Sequence, residues 1–339
     1  MNIAILDDYQ DTVRHLECFS LLNGHQVQIL NKTYTDVAQL AAHLQDVEAL
    51  VLIRERTRIT DALLSQLPAL KLVSQTGKVS QHLSVDACTR HGVAVAEGTG
   101  SPVAPAELCW SLIMAASRHM PQYATQLLQG HWQQNGSLGL GRTLHGLTLG
   151  IWGYGKIGQR IARYGAAFGM TVLVWGSETS RELARQHGFT AADNKAAFFS
   201  NADVLSLHLR LNDATRHCVT QQDLALMKPD SLFVNISRAD LVEPGALWRE
   251  LSSHAGKRAA LDVFDNEPAT LDSEPLLNLP NVLATPHIGY VERNSYELYF
   301  KAAFENVLAF AAGHPTNLVN SAALSTTRRH DHDAATGVD

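Results

Sequence analysis

The sequence predicts an α/β protein with two doubly wound domains, each built around a parallel sheet. Short apolar runs bounded by polar or glycine-rich turns alternate with stretches of helical period, which is the pattern of stacked β-α units. The chain has 339 residues, enough for two domains of roughly 150 residues each. Hydrophobic residues make up 45% of the chain, so the chain as a whole is not an intrinsically disordered protein.

The first hundred residues contain a series of predicted strands with helical stretches between them. The strands are predicted at residues 2–6, 26–30, 49–53, 70–74 and 93–96, and the helices near 10–21, 35–45, 60–67 and 83–90. A long apolar stretch follows at 102–120, where weak amphipathicity predicts a helix buried on most sides. Pro121 is expected to end or kink this helix, because proline lacks the backbone N–H that a helix interior needs.

A second series of strands begins at Leu147. These strands are predicted near 147–152, 171–175, 203–209, 231–236, 259–264 and 282–285, most of them followed by a helical stretch. Six strands at these separations suit a complete dinucleotide-binding sheet. A last helix near 294–312 would return the chain to the first unit, and residues 326–339 lack periodicity and are expected to be disordered.

Charge and cysteine content exclude several other classes of protein. There are 27 Lys and Arg against 33 Asp and Glu, a net charge of −6, so the chain lacks the basic field that nucleic-acid binding needs. Cys18, Cys88, Cys109 and Cys218 are far apart, which predicts a reducing compartment and no thiolate metal site. The most apolar later stretch, 108–116, is too short to span a bilayer. We therefore expect a cytoplasmic protein with no metal, membrane or nucleic-acid partner.

A glycine-rich loop is the strongest local motif. Gly153-Tyr154-Gly155-Lys156-Ile157-Gly158 directly follows a predicted strand and opens a helix. The apolar positions of that helix, Ile157, Ile161, Tyr164 and Phe168, have helical spacing. Glycines at this spacing permit a tight turn, close approach of a pyrophosphate and close helix packing. The strand and the helix around the loop therefore predict a dinucleotide site rather than a glycine-rich turn without a ligand.

The residues that would distinguish NAD from NADP are ambiguous. An NAD site places an acidic residue about 20 positions after the loop, at the end of the second strand, to accept from the ribose 2′-OH. Here the expected position is Gly176. Either Glu178 replaces the missing carboxylate, or Ser177, Thr179 and Arg181 hold a 2′-phosphate. The sequence leaves NAD and NADP open.

Three chemically active side chains follow successive strands of the second series. Arg238 follows the strand at 231–236, Glu267 the strand at 259–264, and His287 the strand at 282–285. Each has a plain structural interpretation: a surface ion pair, a turn carboxylate before proline and a core histidine. Because ligands bind outside the carboxyl ends of parallel strands, their joint placement in a dinucleotide-binding sheet predicts a catalytic cluster.

At these residues the sequence resembles the D-isomer-specific 2-hydroxyacid dehydrogenases, over about residues 45–320. The matching segments are 103–118, 144–158, 203–208, 226–238, 261–268 and 285–289. The resemblance implies a flavodoxin-like substrate domain from residues 1–101 and 291–325, a Rossmann-type nicotinamide domain at 102–290 inserted into it, a cleft between them and a homodimer. The chain resembles the phosphoglycerate dehydrogenase-like members but is too short for the regulatory extension of the longer ones, so feedback control through such a domain is not expected.

The resemblance also implies roles for individual residues. Arg238 would bind the carboxylate and keto oxygen of a 2-keto acid, His287 would be the general acid in reduction, and Glu267 would hold its imidazole. Asp262 resembles the residue that contacts the nicotinamide amide. The full set expected to contact the cofactor, NAD or NADP, is Gly153, Tyr154, Gly155, Lys156, Ile157, Gly158, Ser177, His208, Leu209, Ile236, Ser237, Asp262 and Gly289. One departure is Arg210, which stands where many relatives have proline.

Substrate residues are expected from the first series of strands as well. In relatives, backbone amides of the loop that contains Gly77, Lys78 and Val79 hold the substrate carboxylate. Arg54 and Lys78 could add positive potential for a substrate with a second anion such as a phosphate. The plain alternative is that both are solvated charges at the rim.

The function expected from the resemblance is hydride transfer between NAD(P)H and a small 2-keto or D-2-hydroxy acid. A dinucleotide-sensing interaction protein of the corepressor type, with little turnover, is the alternative from another class. Oxidation of formate or phosphite is a further enzymatic alternative. Glu267 counts against the formate branch, where a glutamine usually partners the histidine. The side chain of the natural hydroxy acid and the physiological direction stay open.

Overall fold

A computed structural model describes residues 1–325, and the predicted disordered tail at 326–339 lies outside the described residues. The chain forms two compact units. The first contains Met1–Ser101 together with the described residues from Glu292 onward, and the second is Pro102–Val291. Both are α/β units with parallel sheets, as the alternation of apolar runs and helical stretches predicts.

The described residues of the first unit form a five-stranded parallel sheet with the order β2-β1-β3-β4-β5. Its strands are β1 (Asn2–Ile5), β2 (Gln26–Ile29), β3 (Ala49–Leu52), β4 (Leu72–Gln75) and β5 (Ala94–Ala96). The helices between them are α1 (Val37–His43), α2 (Asp61–Leu64) and α3 (Val85–Arg90). This strand order is that of flavodoxin-like doubly wound sheets, which confirms the predicted fold class.

Side-chain caps fix where the helices of this unit begin. The side chains of Asp36, Thr60 and Ser84 accept hydrogen bonds from backbone N–H groups three residues further on, at the starts of α1, α2 and α3. The central strand β3 is buried at every position, as a strand covered on both faces must be.

One predicted helix of the first unit has a different form. The stretch near 10–21 folds as two 3₁₀ helices, Val13–His15 and Glu17–Leu22, rather than one α-helix. Leu16 between them is extended, with φ −74° and ψ 146°. The carboxylate of Glu297, from the far end of the chain, accepts the N–H groups of Glu17 and Cys18. A partner 280 residues away in sequence is not visible to a local pattern.

The described residues of the second unit form a seven-stranded parallel sheet with the order β12-β11-β10-β9-β6-β7-β8. Its strands are β6 (Thr148–Trp152), β7 (Thr171–Trp175), β8 (Thr190–Ala191), β9 (Val204–Leu207), β10 (Leu232–Asn235), β11 (Arg258–Leu261) and β12 (Val282–Ala284). Its helices are α4 (Val103–Ser117), α5 (Met120–Leu128), α6 (Lys156–Ala167), α7 (Glu178–Gln186), α8 (Lys195–Asn201), α9 (Gln221–Ala225) and α10 (Ala246–Ser253). The six predicted strands are present, and the edge strand β8 was missed because two residues carry no pattern.

The prediction for Pro121 was wrong. Helix α4 already ends at Ser117, and His119 has the left-handed backbone angle φ 52°. Pro121 lies in the first turn of α5, where its missing N–H has no intrahelical partner to lose. It therefore opens a helix instead of ending one.

The last helix, α11 (Arg293–Ala311), belongs to the first unit and packs against β4. Its buried positions Tyr296, Phe300, Ala303 and Val307 follow helical spacing, and the hydroxyl of Ser74 donates to the carbonyl of Ala303 at 2.8 Å. The predicted helix near 294–312 is thus confirmed. Within residues 1–325, no helix combines the length and the apolar character that crossing a membrane requires.

Candidate active site

The glycine loop connects β6 to α6 and accepts only glycine at two of its positions. Gly153 has φ +100°, and a Cβ added there would lie 2.6 Å from the carbonyl oxygen of His208. A Cβ at Gly158 would collide with the carbonyl oxygen of Gly153. At Gly155, by contrast, a Cβ would meet no atom of residues 1–325 within 4 Å. The backbone of the loop is therefore tightly folded on its inner side and open at Gly155.

This loop fits the pyrophosphate of a dinucleotide. Gly155 precedes the first residue of α6, so the free N–H groups of the helix start lie at the open part of the loop. Lys156 is exposed there and Ile157 is half-buried. The side chain of Tyr154 is 3% exposed, and its hydroxyl lies 3.0 Å from Nδ1 of His187. The buried Tyr154 side chain therefore packs inside the unit, and the backbone of the loop is the part available to a ligand.

Two strand ends adjoin the loop. The N–H of Gly153 donates to the carbonyl of Trp175 at 3.0 Å, which places the end of β7, and with it Ser177, beside the loop. On the other side, the N–H of His208 donates to the carbonyl of Trp152 at 2.8 Å. Leu209 lies against Gly153, with Cδ2 3.2 Å from the position of an added Cβ. The structure thus gathers Ser177, His208 and Leu209 around the glycines.

His208 is held as a neutral imidazole. Its Nε2 lies 2.9 Å from the hydroxyl of Ser206, and its buried Nδ1 has no hydrogen-bond partner in the described part of the chain. Burial lowers the pKa of His208 from 6.5 to about 4. Its side chain therefore contributes no positive charge near neutral pH.

Arg238 is anchored at the carboxyl end of β10. Its guanidinium Nη1 donates to the carbonyl of Ser237 at 2.6 Å, and its own carbonyl accepts from the side-chain amide of Asn235 at 2.7 Å. The hydroxyl of Ser237 donates to the carbonyl of Leu207 at 2.8 Å, which ties this turn to the end of β9. Ile236 is 8% exposed and belongs to the core beneath the turn.

Glu267 and His287 form a hydrogen-bonded pair. Nδ1 of His287 lies 2.6 Å from Oε2 of Glu267, and Oε1 of Glu267 accepts the N–H of Phe264 at 3.0 Å. Their side chains are 34% and 24% exposed, so the pair is open on one side. With Nδ1 on the carboxylate, Nε2 is the ring nitrogen left to exchange a proton with a bound molecule. Because β10, β11 and β12 are neighbours, Arg238, Glu267 and His287 follow three adjacent strands at one edge of the sheet.

Asp262 contacts the turn that carries His287. Its Oδ1 accepts from the hydroxyl of Thr285 at 2.6 Å and the N–H of Ile288 at 2.8 Å, and its Oδ2 accepts from the N–H of Gly289 at 2.8 Å. The side chain is fully buried, and burial raises the pKa of its carboxyl above the usual value. Asp262 and Gly289 therefore bind each other, and contact of either with a nicotinamide stays a prediction.

The predicted substrate residues of the first unit follow neighbouring strands. Arg54 follows β3, and its guanidinium packs so closely on Gly77 that an added Cβ there would collide with it. The ammonium of Lys78 lies 2.6 Å from Oε2 of Glu97, and the Lys78 side chain is 68% exposed, so its part in substrate binding stays a prediction. The N–H of Val79 donates to Oε1 of Glu97 at 2.9 Å. The charge of Lys78 and the amide of Val79 are thus engaged within the unit.

Glu97 is a residue that the sequence analysis missed. It follows β5, which neighbours β4 in the sheet, so its position directly after a buried strand was the available signal. Among residues 1–325, no group of three or more His, Cys, Asp or Glu side chains is placed to hold a metal ion.

Comparison with known proteins shows which family this chain is similar to. The family described as D-isomer specific 2-hydroxyacid dehydrogenase, NAD binding domain, matches residues 110–289. A glyoxylate reductase from Aeropyrum pernix is 36% identical over 272 residues, which cover 78% of this chain and 80% of that protein. A D-3-phosphoglycerate dehydrogenase from Methanocaldococcus jannaschii is 33% identical over 74% of this chain, but the chain spans only 47% of that protein's length.

A solved structure is similar along nearly the whole chain. It is the crystal structure of a phosphoglycerate oxidoreductase from Vibrio cholerae O395, with 65% sequence identity and a TM-score of 0.92. The match covers 92% of this chain and 99% of the Vibrio chain. Both units of the fold therefore have a counterpart in one solved protein.

Proposed function

The chain belongs to the family of D-isomer-specific 2-hydroxyacid dehydrogenases, and on that premise we propose that it transfers a hydride between NAD(P)H and a small 2-keto or D-2-hydroxy acid. The second unit contains the NAD-binding domain of this family. The observation that carries the proposal is the 2.6 Å contact between His287 and Glu267. These two residues follow β12 and β11, and Arg238 follows the neighbouring strand β10. The glycine loop follows β6, another strand of the same sheet.

Arg238 supplies the anchor for the substrate in this proposal. A guanidinium presents a planar fork of N–H donors that matches a carboxylate, and it stays charged at every physiological pH. Hydrogen bonds from it to the carboxylate and the keto oxygen are each worth roughly 1.5 to 3 kcal/mol. Arg238 also polarises the carbonyl that is to be reduced, because its charge favours negative charge developing on that oxygen.

His287 handles the proton. The bound dinucleotide supplies or accepts the hydride. In reduction, Nε2 of His287 donates a proton to the alkoxide oxygen, and in oxidation the same atom removes the hydroxyl proton. Glu267 keeps Nδ1 protonated and facing away from the substrate, and its negative charge stabilises the imidazolium. Such general acid catalysis typically contributes about 10²- to 10⁴-fold in rate.

A panel of 2-keto acids tests the proposal. Purified protein is mixed with NADH or NADPH and with glyoxylate, hydroxypyruvate or phosphohydroxypyruvate, and the absorbance of the reduced dinucleotide is followed. We expect turnover of at least one keto acid and formation of the D-hydroxy acid. Dinucleotide binding without turnover of any member would instead favour the sensing protein of the corepressor type.

We propose that the protein is a homodimer built on its second unit. No side chain of α5 is buried by the described part of the chain. Leu128 is 90% exposed, Leu140 is 91% exposed and Trp132 is 76% exposed. Large apolar side chains this exposed on neighbouring parts of the sequence are typical of a surface that a partner covers.

A cytoplasmic location is part of the same proposal. All four cysteines are free thiols, and three of them, Cys18, Cys88 and Cys109, are buried. Burial raises the pKa of each of these three thiols to about 12, which leaves them protonated and unreactive. Unpaired thiols are typical of proteins from a reducing compartment.

A further inference from the structure

The end of β7 lacks the carboxylate that binds an adenosine ribose. Gly176 occupies the expected position with φ +150°, where an L side chain would be strained. The atoms nearest to an added Cβ are those of Ser180, at 3.5 and 3.7 Å, and the backbone nitrogen of Gly153, at 3.8 Å. An added Cβ would thus be in ordinary contact with Ser180 and Gly153, so the backbone angle, and not a collision, is what favours glycine here.

Glu178 does not replace that carboxylate. Its Oε2 lies 2.5 Å from Nη2 of Arg181, and its Oε1 lies 3.2 Å from Nη1 of Arg185. Both oxygens thus face guanidinium groups, and the side chain is 68% exposed. Arg185 also pairs with Glu182 at 3.1 Å, so two carboxylates face two guanidinium groups here and Glu178 is not left uncompensated against a second anion.

Hydroxyl and guanidinium donors lie where the acid is missing. The hydroxyls of Ser177 and Ser180 are 3.1 Å apart, and Ser177 also caps α7 by accepting the N–H of Ser180. Ser180, three residues after the cap, faces Gly176, whereas Thr179 is exposed. Ser180 therefore joins the candidate donors predicted from the sequence.

Arg181 is fixed in place by an aromatic ring. Its guanidinium carbon lies 5.0 Å from the centre of the Trp175 ring, and the side chain is only 20% exposed. Its Nε is buried and has no hydrogen-bond partner within residues 1–325. A guanidinium held by stacking loses little freedom when it binds a phosphate, and its N–H donors match the phosphate oxygens.

We propose that this chain selects NADP(H) over NAD(H), and that Ser177, Ser180 and Arg181 hold the 2′-phosphate of the adenosine ribose. This inference rests on the proposed dehydrogenase function. The 2′-phosphate carries about −1.5 to −2 charges, so a cation and two hydroxyls without an uncompensated acid favour it over a 2′-hydroxyl. In an NAD site the acidic residue does the reverse, because it accepts from the hydroxyl and repels the phosphate.

Equilibrium binding without a keto acid tests the selection directly. The affinities of NADPH and NADH are measured by titration calorimetry, and 2′,5′-ADP and 5′-ADP are compared as fragments with and without the 2′-phosphate. We expect NADPH to bind roughly ten- to a hundredfold more tightly than NADH, the range of one to two charge-assisted hydrogen bonds. Equal or tighter binding of NADH would overturn the inference while leaving the proposed dehydrogenase intact.

Substitutions locate the selection. Arg181→Ala should lose most of the preference by weakening NADPH alone, whereas Arg163→Ala, at an exposed arginine of α6, should leave the ratio unchanged. Ser177→Asp keeps a good helix cap but adds a carboxylate, and it should make NADH the tighter ligand. A parallel loss of both dinucleotides in Arg181→Ala would assign it a structural role and refute its part in the inference. Failure of wild-type protein to bind either dinucleotide would overturn the proposed function itself.

Discussion

The imidazole of His287 and the carboxylate of Glu267 lie 2.6 Å apart, Nδ1 to Oε2, and further hydrogen bonds hold the segments that carry them. Glu267 receives the N–H of Phe264, and Asp262 accepts hydrogen bonds from the residues on either side of His287. A ring held at Nδ1 by a fixed carboxylate has one orientation and one free nitrogen. The geometry is therefore that of a preset proton donor rather than of a surface histidine.

Loss of His287 should affect the chemical step. His287→Ala is expected to lower kcat by about 10²- to 10⁴-fold, because it removes the side chain that donates the proton in the proposed reaction. The affinity for NADPH, measured by calorimetry, should be unchanged. His15→Ala, a change at an exposed histidine of the first unit, serves as the control. An undiminished kcat in His287→Ala would remove the role assigned to it.

Loss of Arg238 should affect both binding and chemistry. Arg238→Ala is expected to raise KM for the keto acid and also lower kcat, because the guanidinium holds the substrate and polarises its carbonyl. The loss in kcat/KM should reach at least about 1.5 to 3 kcal/mol, and Arg238→Lys should recover only part of it. Arg163→Ala, at an exposed arginine of α6, should leave both constants unchanged. A change in KM alone would show that Arg238 binds substrate without assisting the reaction.

The ion pair of Lys78 with Glu97 should limit the effect of Lys78 on substrate choice. Glu97→Gln removes the compensating charge and weakens the acceptor for the Val79 amide. We expect this change to lower KM several-fold for a keto acid with a second anion and less for glyoxylate, in the range of an exposed ion pair of up to about 1 kcal/mol. Steady-state kinetics with both substrates measure the difference. Equal effects on the two keto acids would show that Lys78 and Arg54 are solvated rim charges.

Burial of His208 should make stability depend on pH. Between about pH 6.5 and pH 4 the unfolded chain takes up a proton on this side chain and the folded chain does not, so stability falls as the pH is lowered. Relative to His208→Gln, the wild-type protein should lose up to about 3 kcal/mol over this range. Urea unfolding at several pH values measures it, with His15→Gln expected to follow the wild type. Parallel curves for wild type and His208→Gln would contradict the prediction.

Charges on the exposed apolar surface should separate the proposed dimer. Leu128→Glu combined with Leu140→Glu is expected to convert a dimer into a folded monomer. Each leucine is about nine-tenths exposed, so the change does not disturb the core but places two charges in the proposed apolar interface. Analytical ultracentrifugation measures the mass. Leu298→Glu, on a leucine of the first unit that is 42% exposed, should leave the dimer intact. A monomeric wild-type protein would refute this part of the proposal.

Several features of the site could not be read from local patterns. Tyr154 lies inside the glycine motif, yet its side chain turns inward because His187 and Phe189, from the end of α7, surround it. Asp262 follows a strand like a ligand-binding residue, yet it binds the turn at 285–289. The sequence gives no sign that Lys78 pairs with Glu97, which follows it by 19 residues. Each partner comes from another strand or helix.

The alternation of apolar runs, the spacing of three glycines and the order of polar residues after strands were enough to predict two parallel sheets, a dinucleotide loop and the group Arg238, Glu267 and His287. These features follow from backbone hydrogen bonding and from which residues end a buried strand, both of which are local. The tertiary structure alone decided which atoms compensate one another: Glu178 with two arginines, Glu97 with Lys78, and Asp262 with the His287 turn. Charge compensation depends on distances of a few ångströms between segments far apart in the chain, and no sequence pattern encodes those distances.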